Sequence, residues 1–140
     1  SSCSLTVFEN SQAQLSCGAA TVVIDMHTFY SAIYPQSMTT CIIDSNDMIE
    51  CWGDDYQGQL SNIPNGTFTS LSSGSNHICG IESNGSLQCW GYDNRGQVSN
   101  TPDGTFSSIH LGYAHSCAIT TAGQAICWGS DNYGQSSEVP

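Results

Sequence analysis

Ser116-Cys117-Ala118-Ile119-Thr120-Thr121-Ala122-Gly123-Gln124-Ala125-Ile126-Cys127-Trp128 is the stretch that decides the fold. Two short alternating runs flank a glycine-bearing connection, which is the signature of a β-hairpin. With the turn centred on Ala122, Ile119 falls opposite Ala125 and Cys117 opposite Cys127. The cysteines then share a face with the apolar residues, and directly opposed residues of an antiparallel pair lie close enough for a disulfide. The same construction opposes Ile81 to Leu87 and Cys79 to Cys89, and Ile43 to Ile49 and Cys41 to Cys51. Disulfides Cys41–Cys51, Cys79–Cys89 and Cys117–Cys127 are expected, each closing a short loop and contributing roughly 2–4 kcal/mol by chain-entropy reasoning.

The hairpin is one copy of a repeat. Cys-Trp-Gly begins at Cys51, Cys89 and Cys127, an interval of 38 residues, and Cys3, Cys41, Cys79 and Cys117 keep the same step. Behind the triplets come Asp55, Gly58 and Gln59, then Asp93, Gly96 and Gln97, then Asp131, Gly134 and Gln135. Asn65-Gly66-Thr67-Phe68 matches Asp103-Gly104-Thr105-Phe106. The chain therefore reads as one all-β repeat domain over 1–140, with units at 39–76, 77–114 and 115–140 and a degenerate unit at 1–38. In that first unit Cys3 is in phase, but its expected partner is Cys17, which lengthens the hairpin. Gly18 stands where the tryptophan should be, and Thr28-Phe29 re-enters register one residue out.

Composition narrows the function. Of 140 residues, Arg95 is the one Lys or Arg, and the formal net charge is −11. Nucleic acid is disfavoured, because phosphate binding needs several cations, and so is docking on anionic membranes. With no lysine, Schiff-base chemistry is excluded. No apolar run approaches the roughly 18–20 residues of a membrane-spanning helix, so no membrane insertion is expected. Eight cysteines without a Cys-x-x-Cys spacing point to an oxidising compartment, secreted or on a cell-surface appendage. The chain opens without Met or a signal-like apolar segment and reads as a processed chain or an excised fragment.

The pattern His-x-Cys-x-Ile, glycine turn, Cys-Trp-Gly-x-Asp-x-x-Gly-Gln resembles the RCC1-like β-propeller repeat, in the cysteine-stapled form found in secreted proteins. Copies run from His77 to Gln97 and from His115 to Gln135, and a looser one begins at Thr39, so the resemblance covers about residues 39–140. It implies a propeller-like array of about four 38-residue blades, the first degenerate and the last incomplete. It also implies four strands per blade, with Trp-Gly and Gly-Gln segments packing neighbouring blades. At the front, Cys3-x-Leu5 through Glu9-Asn10, Leu15-Ser16-Cys17 and Val23-Ile24 to Tyr30 is similar to the start of a galactose/rhamnose-binding lectin domain. That family follows the tyrosine with Gly-Arg; Ser31-Ala32 follows here, and no sugar site is carried over.

Among candidate sites, His77 and His115 repeat in phase and suit a recurring hydrogen bond between blade and neighbouring loop. His27 and His110 lack zinc-type spacing, and no metal or cofactor is expected. Asp55, Asp93 and Asp131 suit loop-closing Asx turns better than calcium, whose sites need a denser set of oxygen ligands. Tyr56, Tyr92, Tyr113 and Tyr133 are the candidate ligand contacts, with the three aspartates beside them. No Gly-x-Ser-x-Gly or comparable nucleophile motif occurs, so an enzyme is not expected. Asn65-Gly66-Thr67 and Asn84-Gly85-Ser86 are turn formers and glycosylation acceptors, with a glycan expected on Asn65 and Asn84.

The last unit stops at Ser137-Glu138-Val139-Pro140, before its Gly-Thr-Phe strand, which predicts an open sheet edge with no lysine to guard it. Four blades closing alone, two chains sharing a ring, or a head-to-tail filament are the possible outcomes. The expected function is a non-enzymatic extracellular structural or adhesive subunit that associates with itself through β-sheet edges. The second expectation is a secreted carbohydrate- or protein-binding module.

Overall fold

The computed structural model describes the backbone of residues 3–7, 12–17, 19–25 and 32–35 and the whole of residues 39–140. The alternating runs are strands, twelve among the described residues: β1 (Cys3–Val7), β2 (Gln12–Cys17), β3 (Ala20–Asp25), β4 (Ala32–Pro35), β5 (Thr39–Ile43), β6 (Ile49–Gly53), β7 (Phe68–Ser73), β8 (His77–Glu82), β9 (Leu87–Gly91), β10 (Phe106–Leu111), β11 (His115–Thr120) and β12 (Ala125–Gly129). They form four antiparallel three-stranded sheets, β1-β2-β3, β4-β5-β6, β7-β8-β9 and β10-β11-β12.

The hairpin registers are those read from the sequence. Cys41 faces Cys51 and Ile43 faces Ile49, Cys79 faces Cys89 and Ile81 faces Leu87, Cys117 faces Cys127 and Ile119 faces Ala125. All three cysteine pairs are disulfides. In the first unit the backbone sets Cys3 opposite Cys17, although the bridge expected there concerns side chains outside the described residues. Thr28-Phe29, His27 and Tyr30 also lie outside them.

Two features differ from the expectation. The sheets have three strands, not four. After Gly53, Gly91 and Gly129 the chain folds into a tight loop whose amides are taken by an aspartate side chain, so they cannot join a sheet ladder. Sheets and sequence units are also out of phase. The strand that ends one unit, Phe68–Ser73 or Phe106–Leu111, heads the sheet of the next. The hairpin of unit 115–140 therefore sits in a three-stranded sheet ordered like β7-β8-β9, its first strand supplied by the unit before.

The core is laminated between successive sheets. One layer joins Cys41 and Ile43 to Phe68, Leu71, Ile78 and Trp90. The next joins Cys79, Ile81 and Leu87 to Phe106, Ile109, Ala118 and Trp128. Each layer thus takes the stapled face of one hairpin and the leading strand and tryptophan of the following sheet. Sheet β7-β8-β9 meets the next through β10, which packs on β7 and β8, and meets the one before through β7, which packs on β4 and β5.

The glycines of the second and third Cys-Trp-Gly triplets, Gly91 and Gly129, have a steric cause. Gly91 adopts φ +103°, and a Cβ there would lie 2.6 Å from the Asn76 carbonyl oxygen. That close approach lets the Tyr92 amide donate to Asn76 O at 2.8 Å, and the Ser130 amide repeats the bond to Ala114 O at 2.9 Å.

Candidate functional site

The loop behind each triplet is built by one aspartate and one glutamine. Asp55 Oδ1 accepts from the amides of Leu60 (2.7 Å) and Ser61 (3.0 Å). Asp93 does the same for Val98 (2.8 Å) and Ser99 (2.9 Å), and Asp131 for Ser136 and Ser137, both at 2.9 Å. These bonds reach five and six residues along, so each aspartate closes its loop over a longer span than a single Asx turn. The amides of Leu60 and Ser61 hold the Asp55 carboxyl below its ordinary range. At Asp93 partial burial pushes the pKa up, but the Ser99 and Val98 amides outweigh it and the net shift is down. The Ser137 hydroxyl and Ser136 amide draw Asp131 down to about 2. Each of the three carboxylates is thereby occupied by its own loop.

Gln59, Gln97 and Gln135 accept through Oε1 from the amides of Gln57 (2.8 Å), Arg95 (2.7 Å) and Tyr133 (2.8 Å). Their backbones clasp the next sheet. The Trp90 indole N–H donates to Gln59 O and that of Trp128 to Gln97 O, both at 3.0 Å. This is the interblade packing that the repeat resemblance implied for these segments.

Between successive loops lie two clefts. One, of about 360 Å³, is lined by Gln57, Asn76, Tyr92, Asn94, Arg95 and Tyr113, among others. The other, of about 380 Å³, is lined by Arg95, Tyr113, His115, Asn132, Tyr133 and Gln135, among others. Arg95, Tyr113 and Ala114 belong to both. Tyr113 is 79% exposed and Tyr133 91%. Of the tyrosines singled out in the sequence, Tyr92, Tyr113 and Tyr133 reach these clefts, whereas Tyr56 stands exposed outside both. The three aspartates line neither cleft.

The residues that sequence reasoning missed here are Arg95, Asn76, Asn94 and Asn132. A signal for them exists inside the chain. At the step of 38, scaffold positions repeat without change, as Asp55, Asp93 and Asp131 do. Several cleft positions change from copy to copy: Gln57, Arg95 and Tyr133 are equivalent, as are Asp54, Tyr92 and Ser130, and Ser75 and Tyr113, whereas Asn94 and Asn132, and Gln97 and Gln135, repeat.

His77 is fully buried, and its Nε2 lies 2.9 Å from Ser116 Oγ on the neighbouring sheet. This bond runs from sheet to sheet, to a strand residue of β11. Burial, with some repulsion from His115, lowers its pKa to about 4. His115 is half-buried and lines the second cleft, and His110 is exposed on β10. Among the described residues no three His, Cys, Asp or Glu side chains converge as metal ligands.

Both Asn-Gly-Ser/Thr sequons lie at the hairpin-tip end, opposite the clefts. Asn65 and Asn84 are exposed. Asn84 Oδ1 accepts from the Ser86 amide at 2.9 Å within the β8–β9 turn, and Thr67 Oγ1 meets Ser83 Oγ at 2.6 Å, tying the two tips together.

Residues 68–97 and 106–135 match the regulator of chromosome condensation (RCC1) repeat. The fold is similar to the CRINKLY WD40 ectodomain of the Arabidopsis thaliana receptor kinase ACR4, with TM-score 0.64 and 24% identity over 85% of this chain and 45% of that one. It is similar to the entire ectodomain of the Physcomitrella patens receptor kinase CR4, with TM-score 0.68 and 20% identity over 99% and 46%. It is also similar to Prp20p from Saccharomyces cerevisiae, described with binding to Gsp1p and histones, with TM-score 0.63 and 16% identity over 94% and 43%. The chain spans less than half the length of each. No curated protein sequence matches it significantly. The N-terminal lectin resemblance gains no support from these matches. Sheet architecture and structural likeness together make the chain an all-β, propeller-like array, in which residues 68–97 and 106–135 match the RCC1 repeat.

Proposed function

We propose that this RCC1-repeat chain is a non-enzymatic, secreted or cell-surface binding module that takes its ligand in the two loop-face clefts. The observation that carries this reading is the pairing of an invariant scaffold with a varied lining. The Cys, Trp, Asp, Gly and Gln of each copy are spent on staples, clasps and loop closure, while the cleft positions of Arg95, Tyr92 and Tyr113 differ between copies. Recognition surfaces are placed in this way, on loops held by a rigid frame. Tyrosines beside Asn and Gln amides give an apolar ring face next to donors and acceptors, which suits a carbohydrate. The disulfides and the receptor-ectodomain likeness support an extracellular setting, and a net charge of −11 argues against nucleic acid. Glycans on Asn65 and Asn84 would leave the clefts open, since both acceptors lie at the other end of the strands.

A glycan array is the direct test. Binding that disappears in Tyr92→Ala or Tyr133→Ala would sustain the reading; a blank array would count against it. Intact mass before and after glycosidase treatment checks the two acceptors.

A second reading, self-association through sheet edges into an oligomer or filament, is favoured by Trp52. This residue sits on edge strand β6 and is 51% exposed, whereas Trp90 and Trp128 are 3% and 6% exposed. Light scattering across concentrations tests it: a particle that stays monomeric would remove it.

A further inference from the structure

We propose that Arg95 is the anchor for a single carboxylate on the ligand, and that the module recognises glycans ending in an acidic sugar. The inference rests on the cleft-binding reading above and adds the ligand's chemical class. Arg95 is the one cation of the sequence, against twelve Asp and Glu. In such a chain an arginine kept for structure would be expected in an ion pair. Among the described residues, the Arg95 guanidinium has none; its backbone amide alone is engaged, by Gln97 Oε1. The side chain is exposed and lines both clefts, at the seam between them. Its repeat equivalents, Gln57 and Tyr133, carry no charge, so the scaffold does not require a cation at this position.

The surroundings fit a pyranose better than a peptide terminus or a polyanion. Tyr113 and Tyr133 flank Arg95 in the second cleft with most of their ring surface exposed. Their flat apolar faces suit the C–H face of a sugar ring, and their hydroxyls and the amides of Asn94 and Asn132 suit its hydroxyl groups. Arginine presents a planar fork matched to a carboxylate. A net charge of −11 repels anions at long range, so a ligand with many charges would be turned away by the rest of the surface. One carboxylate held at one guanidinium meets both constraints.

The test uses disaccharides ending in a uronic acid, in the gluco, galacto and manno configurations, each against its neutral parent sugar. Calorimetric or NMR titration of the intact protein would give the affinities. At least one acidic probe should bind more tightly than its neutral parent by about 10–100-fold, the range of a charge-assisted hydrogen-bonded pair. Arg95→Gln should remove that difference, bringing the acidic probe down to the affinity of its neutral parent in the same variant, and Arg95→Lys should restore part of it. The exposure of Arg95 keeps both variants folded, which the thermal midpoint checks. Acidic and neutral probes binding equally, or an unchanged preference in Arg95→Gln, would overturn the anchor while leaving the cleft reading intact. Absence of binding by every sugar would overturn both, whereas a peptide carboxylate that alone occupies the site would overturn the acidic-sugar ligand and leave the cleft reading intact.

Discussion

The hairpins Thr39–Gly53 and His77–Gly91 carry the same staple and differ in what they lean on. Each closes a disulfide between cysteines 10 residues apart. Trp90 is 3% exposed and bonded to Gln59 O, whereas Trp52 is 51% exposed. The disulfide is thus private to a hairpin, while the clasps of Trp90 and Trp128 are bonds between copies. The layers differ in the same way. Thr39 and Ile78 occupy the positions that His77 and Ser116 hold one step on. The first layer is apolar at this point, with Thr39 Oγ1 turned to Asp54 O at 2.9 Å; the second carries a buried histidine–serine pair.

The sharpest way to break this comparison is to truncate the tryptophans. Trp90→Ala or Trp128→Ala removes a buried aromatic and leaves a carbonyl without its donor, which should cost about 3–5 kcal/mol. Trp52→Ala should cost less than about 1 kcal/mol, because half of the ring is already in water. Urea unfolding of the three variants gives the numbers, and a Trp52 loss equal to that of Trp90 would show that its neighbours bury it in solution.

Removing the staples should level the two hairpins. With equal loop lengths, the double variants Cys41→Ala/Cys51→Ala and Cys79→Ala/Cys89→Ala should each lose about 2.5–3 kcal/mol. A marked difference between them would mean that the disulfide depends on its neighbours as the tryptophan does.

The hairpins were legible in the sequence because their pairing is local: a turn and a period of two fix Cys79 opposite Cys89 without reference to the rest of the chain. The roles of Asp93 and Trp90 were legible in outline, since a residue repeated at every step serves the frame. What escaped reading depends on the apposition of separate copies. His77 finds Ser116 39 residues away, a pairing that no local pattern announces. The clefts need Arg95 from one loop, Tyr113 from the turn before β11 and Tyr133 from the loop after β12, brought together by stacking alone. The phase of the sheets was likewise hidden, because Phe106–Leu111 could as well have paired backward as forward until its Phe, Ile and Leu met the stapled face of β8.

The effect most specific to the second layer is a pH dependence owed to His77. Buried against Ser116, the ring has a folded-state pKa of about 4 against 6.5 when exposed. Between these values the unfolded chain binds a proton that the native fold excludes, so stability rises with pH across this window and levels off above it. Acidification from pH 6.5 toward 4 should therefore remove up to about 1.4 kcal/mol per pH unit through this group. The loop aspartates act in a lower window. Their pKa values are depressed in the fold, with Asp131 down to about 2, so their contribution is present above about pH 4 and is lost only below it. Thr39 cannot titrate, and the first layer should show no such slope. His115 and Asp93 act on the His77 charge in opposite directions and remain in both proteins when wild type is compared with His77→Gln. The difference in urea midpoint between the two, followed from pH 7.5 to 4.5, isolates His77. Parallel curves would mean that the ring takes up its proton without leaving the layer, and that the His77–Ser116 pair is held by a looser contact than its burial implies.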